Sequence, residues 1–169
     1  MPEIVVAQRT NEWLAARKGK VTASLAAGCL GLDPHMSRMA AWRKIQGIGE
    51  SVQNRYMRWG VQFEAAARLD YEARQGVFVD TTGFWVHPLL NWLGASPDGL
   101  VGSDGLAEIK CPTNVPAKVP IHHRIQCLIQ LAVLEREWCD YFAWGAGGQT
   151  YLARIYRAGI PGLICRLEQ

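Results

Sequence analysis

Two Asp-Gly dipeptides, Asp98-Gly99 and Asp104-Gly105, limit the folding of their segment more tightly than any other feature of this chain. Asp-Gly joins a residue that hydrogen-bonds its own backbone to one that is free to take positive φ, so each pair favours a reversal. Leu93 to Ser96 precedes them and Leu106 to Lys110 follows, and the pattern predicts a hairpin. Side chains alternate along a strand, which puts Glu108 and Lys110 on one face and Ile109 on the other. Nine residues separate Asp98 from Glu108, so the hairpin brings the two carboxylates together. At close range they repel unless a cation lies between them. Oxygen donors with little His or Cys nearby select Mg2+, or Mn2+ in its place, over zinc. Lys110 then orients an attacking water and offsets charge developing on phosphorus, and the three groups together suit metal-assisted phosphodiester hydrolysis. Taken alone, Ser-Pro-Asp-Gly is also a good β-turn and Glu-x-Lys a common surface pair.

Helix signals come before this segment and strand signals surround it. Thr10 or Asn11 caps a helix to about Arg17, Thr22 or Ser24 caps a second, and Ser37 caps MAAWRKIQ before Gly47. From Asn54 to Gln75, Tyr56, Trp59, Phe63, Ala66 or Ala67 and Leu69 or Ala73 recur at helical spacing, with Gly76 as the stop. VFVDTTGFWVH predicts two short strands or one bulged strand. HHRIQCLIQLAVLE reads as a second strong helix, WCDYFAWG and TYLARIYR as a closing strand pair, and AGIPGLICRLEQ as a short tail. The order implies an α/β fold with a mixed β-sheet flanked by helices.

A length of 169 residues, 49% of them apolar, fits one globular domain with a real core. No run reaches the roughly 20 apolar residues of a membrane span, and the N-terminus has no apolar secretion segment, so the expected compartment is the cytoplasm. The five cysteines form no C-x-x-C pair and are expected to be reduced. Net charge is +3, unevenly spread: residues 1–60 carry nine basic and four acidic side chains, the remainder nine basic and eleven acidic. Such asymmetry suits an anionic polymer held near an acidic centre.

Glu64 lies on its helix beside Phe63 and three alanines, on the side of the apolar stripe, where an acid needs a partner. Gln126 and Gln130, four apart on an otherwise apolar helix, could orient a water or a phosphate oxygen. With these in place, five segments are recognisable: WLAARKGKVTAS (13–24), RWGVQFEAAARLDYE (58–72), GASPDGL (94–100), LAEIKCP (106–112) and QCLIQLAVLEREWCDYF (126–142). In order, they resemble the blocks of the phage lambda exonuclease and YqaJ-like viral recombinase family. The resemblance implies a restriction-endonuclease-like PD-(D/E)XK core over residues 1–169 and Mg2+-dependent cleavage of DNA, 5′ to 3′ from double-stranded ends. Asp98 and Glu108 resemble the family's metal-binding carboxylates, with the backbone carbonyl of Ile109 as a further ligand. Lys110 resembles the catalytic lysine, Glu64 the helical acid that supports the metals, and Gln126 the glutamine after the catalytic strand. Arg17, Ser24 and Ser96 match positions that line a pocket for a terminal 5′ phosphate, and Gln130 is placed with them as a DNA contact. A homotrimer, a single-strand annealing partner and a phage or prophage setting in a bacterial cell are implied in the same way. This sequence departs from the pattern in its short proline-rich loop, in His122 and His123 before the glutamine, and in a brief C-terminal tail. An endonuclease of the same fold and a non-catalytic DNA-end-binding module are the alternative readings.

Overall fold

Caps and turns divide the first part of the chain into short elements. The computed structural model describes residues 3–4, 6, 8–48, 55–158 and 160–168, without the side chains of Glu3, Tyr56 and Met57. Asn54 and the Tyr56 side chain of the expected helical stripe therefore lie outside the described residues. After β1 (Glu3–Ile4), α1 (Asn11–Arg17) starts at Thr10, whose side chain accepts from Trp13 N at 3.2 Å. β2 (Val21–Thr22) leads into α2 (Ala23–Cys29). α3 (Arg38–Gln46) starts at Ser37, which accepts from Ala40 N, and ends at Gly47 in the left-handed region, φ 68°. α4 (Arg55–Gln75) is the longest helix among the described residues.

β3 (Phe84–Val86) and β4 (Leu93–Ala95) complete a first sheet in the order β1-β3-β4-β2. A second sheet runs β5 (Gly99–Val101), β6 (Gly105–Lys110), β7 (Trp138–Trp144), β8 (Thr150–Tyr156). Its β6 and β7 are parallel and joined through α5 (Ile121–Leu134), while the outer pairs are antiparallel, so the sheet is mixed. Both faces of β6 and β7 are covered. On one side Leu106, Cys139 and Tyr141 pack with Ile129 and Val133 of α5 and the alanines of α2; on the other, Ala107, Ile109 and Phe142 meet Ala67 and Tyr71 of α4. α5 also contacts β3 and β4, which makes it the shared packing element of the two sheets.

Three expectations need correction. Leu93 to Ser96 is not the partner of Leu106 to Lys110, because β4 pairs with β2 and β3 in the first sheet. The hairpin is β5–β6, with Gly99 opposite Ala107, so Asp98-Gly99 is the entry to a strand and the reversal lies at residues 102–104. A Cβ on Gly99 would stand 2.0 Å from Val79 Cγ1, which explains the glycine there by close approach and not by turning. Second, of VFVDTTGFWVH only Phe84–Val86 forms a strand; Phe78 is 88% exposed, and Asp80 makes one isolated bridge to Leu100. Third, the expected tail is a helix, α6 (Ile160–Glu168), whose Leu163, Ile164 and Leu167 pack on the larger core. None of the described helices is long and apolar enough to cross a membrane.

Candidate active site

Alternation along β6 turns Glu108 toward α5 and Ile109 toward α4, as the strand pattern requires. Glu108 is 1% exposed, yet both carboxylate oxygens are matched. Gln126 Nε2 donates to Oε1 at 2.7 Å, Gln130 Nε2 donates to Oε2 at 2.5 Å, and Lys110 Nζ lies 2.5 Å from Oε1. A buried carboxylate is tolerable only with such a set of donors around it. The i, i+4 spacing of the two glutamines delivers both amides from one face of α5. Gln130 in turn accepts from Cys139 Sγ at 3.7 Å and is fully buried. Its expected place at a DNA phosphate is therefore corrected: it stands behind Glu108, out of reach of any substrate.

Asp98 enters from the residue before β5, and its Oδ2 accepts from Ile109 N at 2.7 Å. Burial and the neighbouring charge of Glu108 push its carboxyl well above the usual range; Glu64 adds to this, while Lys110 and the Ile109 N–H oppose it. Burial works against the charge of Lys110, but Glu108 and Asp98 outweigh it and hold the ammonium above its ordinary pKa. The lysine thus stays protonated across the neutral and mildly alkaline range.

Glu64 stands at the rim of this group rather than in an apolar contact, with 37% of its side chain exposed and its Oε2 paired to Arg9 Nη2. The stripe of α4 runs beside it through Trp59, Phe63, Ala67 and Tyr71, with Phe63 also 5.8 Å from the Trp144 ring. In the sequence Arg9 is one of the nine basic side chains of residues 1–60 and nothing more. It lies 55 positions from Glu64, and no local pattern announces such a pair.

A second cluster gathers around Trp13. Arg17 lies over its ring at 3.9 Å and donates through Nη2 to Thr22 Oγ1 at 3.2 Å and Ser24 Oγ at 3.3 Å. Trp13 Nε1 donates to Ser96 Oγ at 2.9 Å. Arg17, Ser24 and Ser96 are therefore brought together, with Trp13 and Thr22 as members the sequence did not single out. The i, i+4 placement of Trp13 and Arg17 on α1 was the available signal. Burial lowers the Arg17 pKa to about 10, which leaves it charged at neutral pH.

Among the described residues, no three His, Cys, Asp or Glu side chains converge into a closed metal cage. Asp98 and Glu108 still fit a hard divalent cation. Both are oxygen donors, and the mutual repulsion that displaces Asp98 is what a cation between them would relieve. Few protein ligands suit an ion that keeps much of its water.

A buried acid and lysine on a central strand, a second acid at the hairpin entry and glutamines from the crossover helix thus share one corner of the fold. The YqaJ-like viral recombinase domain matches residues 12–137, and the chain belongs to that family. An alkaline exonuclease from Laribacter hongkongensis, LHK-Exo, shares 33% identity and a TM-score of 0.79, over 94% of this chain and 89% of its own. The same enzyme in complex with dAMP gives 34% identity and a TM-score of 0.77, over 94% of this chain and 87% of that one. An uncharacterised protein of Acanthamoeba polyphaga mimivirus is 25% identical over 155 residues, 79% of this chain, and the chain spans 28% of that relative's length.

Proposed function

We propose that residues 1–169 act as one nuclease domain, a Mg2+-dependent DNA exonuclease that hydrolyses phosphodiester bonds 5′ to 3′ from double-stranded ends. One observation carries the reading: Asp98, Glu108 and Lys110 meet at the end of β6, with Glu64 near enough for its charge to be felt at Asp98. The exonuclease name of the Laribacter relative supports the same choice. Asp98, Glu108 and the Ile109 carbonyl would hold Mg2+, with Mn2+ as substitute and Glu64 as a further support. When bound, the ion supplies Lewis-acid polarisation of the phosphate and lowers the pKa of water. Gln126 and Gln130 hold the Glu108 carboxylate in place. Lys110, kept protonated by its acids, donates to the water or to a phosphoryl oxygen as negative charge grows there. The water oxygen bonds to phosphorus and its proton leaves to solvent, while the bond from phosphorus to the 3′ oxygen breaks and that oxygen takes a proton from solvent to leave as the 3′ hydroxyl. Arg17, Ser24 and Ser96 receive the terminal 5′ phosphate; a guanidinium fork beside hydroxyls suits that dianion. Work in the cytoplasm of a bacterial host, a single-strand annealing partner and a homotrimeric assembly belong to the same proposal.

The test is digestion of linear duplex labelled separately at its 5′ and 3′ ends, with and without a 5′ phosphate, beside closed circular DNA, in Mg2+ and in EDTA. Label leaves first from the 5′ end, faster with the phosphate, and neither circles nor EDTA samples are cut. Lys110→Ala and Glu108→Ala each lose cleavage by about 100-fold or more while DNA binding survives. Cutting by the Glu108 variant at the wild-type rate overturns the assignment.

A further inference from the structure

Arg9 occupies a position that its backbone does not favour. Its φ of 71° is in the left-handed region, and it is one of two non-glycine residues there among the described residues. The other, Glu135, closes the end of α5, a recognised use of that conformation; Arg9 closes no helix end and directly precedes the Thr10 cap of α1. The chain is pinned on both sides of it. Gln8 Nε2 donates to Pro97 O at 2.9 Å and Thr82 O at 3.3 Å, gripping the residue before Asp98, and Trp13 Nε1 holds Ser96. These anchors aim the Arg9 side chain across the open edge of the site onto Glu64.

Lys110 is taken up by Glu108, and a divalent cation would answer Asp98 and Glu108, which leaves Glu64 as the acid at the rim. Arg9 is the cation that faces it there, beside the path of an incoming phosphate. Half of the Arg9 side chain is exposed, and an exposed pair such as Arg9–Glu64 is weakly held. A guanidinium carries five N–H donors in a fork that matches phosphate oxygens, and the contact to Glu64 uses one nitrogen. Arg17 is engaged elsewhere, over Trp13 and with the hydroxyls of Thr22 and Ser24.

From this we propose that Arg9 is a second phosphate contact, which binds a backbone phosphate of the strand lying over Glu64 and Asp98, separate from the Arg17 cluster. This rests on the nuclease reading of the site. Binding of duplex DNA labelled at its 3′ end, read by fluorescence anisotropy in Ca2+ and in EDTA over a salt series, separates the two. Arg9→Asn keeps a residue tolerant of positive φ and removes the charge, while Arg9→Lys keeps the charge. The Asn variant binds about tenfold more weakly, and its slope of log affinity against log salt falls by about one; the Lys variant keeps the wild-type slope. The loss is the same with and without a 5′ phosphate, because Arg17 is untouched. An Asn variant with unchanged affinity and slope, or one defective in turnover alone, overturns the proposal and leaves Arg9 as a support for Glu64. Wild-type protein that binds with steep salt dependence but never cuts refutes the exonuclease reading only, and the Arg9 comparison still reads. Wild-type protein that binds no DNA refutes both.

Discussion

His123, in the first turn of α5, shows how one side chain near the site makes the fold sensitive to acid. Its Nδ1 lies 3.1 Å from the Tyr141 hydroxyl, and the two rings stand 5.3 Å apart. Burial first, then Lys110, His122 and His35, push its pKa down to about 2 from an ordinary 6.5. The imidazole is therefore neutral when folded and takes up its proton on unfolding. A group depressed in this way contributes stability that is fully present above pH 6.5 and is lost as the pH falls from there toward 2. Urea unfolding at pH 7, 6 and 5 is expected to show a loss on the order of 1 kcal/mol per unit below the upper limit. His123→Phe flattens that dependence; an unaltered slope in the variant would assign the acid loss to other groups. At this scale the sequence was informative wherever chemistry follows spacing along one element. Strand alternation placed Glu108 with Lys110, and helical spacing aligned Gln126 with Gln130. It was silent about Arg9 on Glu64 and Trp13 on Ser96, because contacts 55 and 83 positions apart depend on how whole elements dock.

Between elements, a single buried acid ties three of them together. Asp140 of β7 is 1% exposed; Tyr71 Oη of α4 donates to its Oδ2 at 2.8 Å, and Arg154 of β8 donates through Nε and Nη2 at 2.8 and 2.9 Å. The same guanidinium lies over Trp138 at 3.6 Å. Removing Arg154 leaves a buried carboxylate with only a phenol for a partner. Arg154→Ala is expected to lower stability by about 3 kcal/mol, and Tyr71→Phe by about 1 kcal/mol. Denaturant melts of both variants and their double mutant check this, and strict additivity would contradict a shared acid. Helix limits were legible because caps and stops are local: Thr10, Ser37, Gly47 and Gly76 all stand where the elements begin or end. Strand partnership was not. Three-residue β4 and β5 carry too little pattern to say which sheet each joins, and β4 pairs with β2 and β3 while β5 pairs with β6. The α6 segment carries Pro161 and Gly162, which weaken a helix in its interior, yet proline is acceptable in a first helical turn.

For the molecule as a whole, the cation site proposed at Asp98 and Glu108 would link binding to folding. A ligand taken up only by the folded chain stabilises it by about 1.4 kcal/mol at ten times its dissociation constant, which for a domain of this size is a rise of about 3–6 °C in Tm. Mg2+ is expected to raise the melting temperature of the wild-type chain by such an amount and to leave Asp98→Asn unmoved; calorimetry with and without EDTA measures it apart from any turnover. A wild-type melting curve indifferent to Mg2+ would count against the two carboxylates as its site. The crossover from β6 to β7 also bears on how the protein is made. Ribosomes deliver Lys110 well before Gln126 and Gln130, so for part of its synthesis the emerging strand carries Glu108 without the amides that later surround it. Completion of the second sheet thus waits for α5, β7 and β8, and a product cut short before Gln126 leaves Glu108 without the amides that surround it.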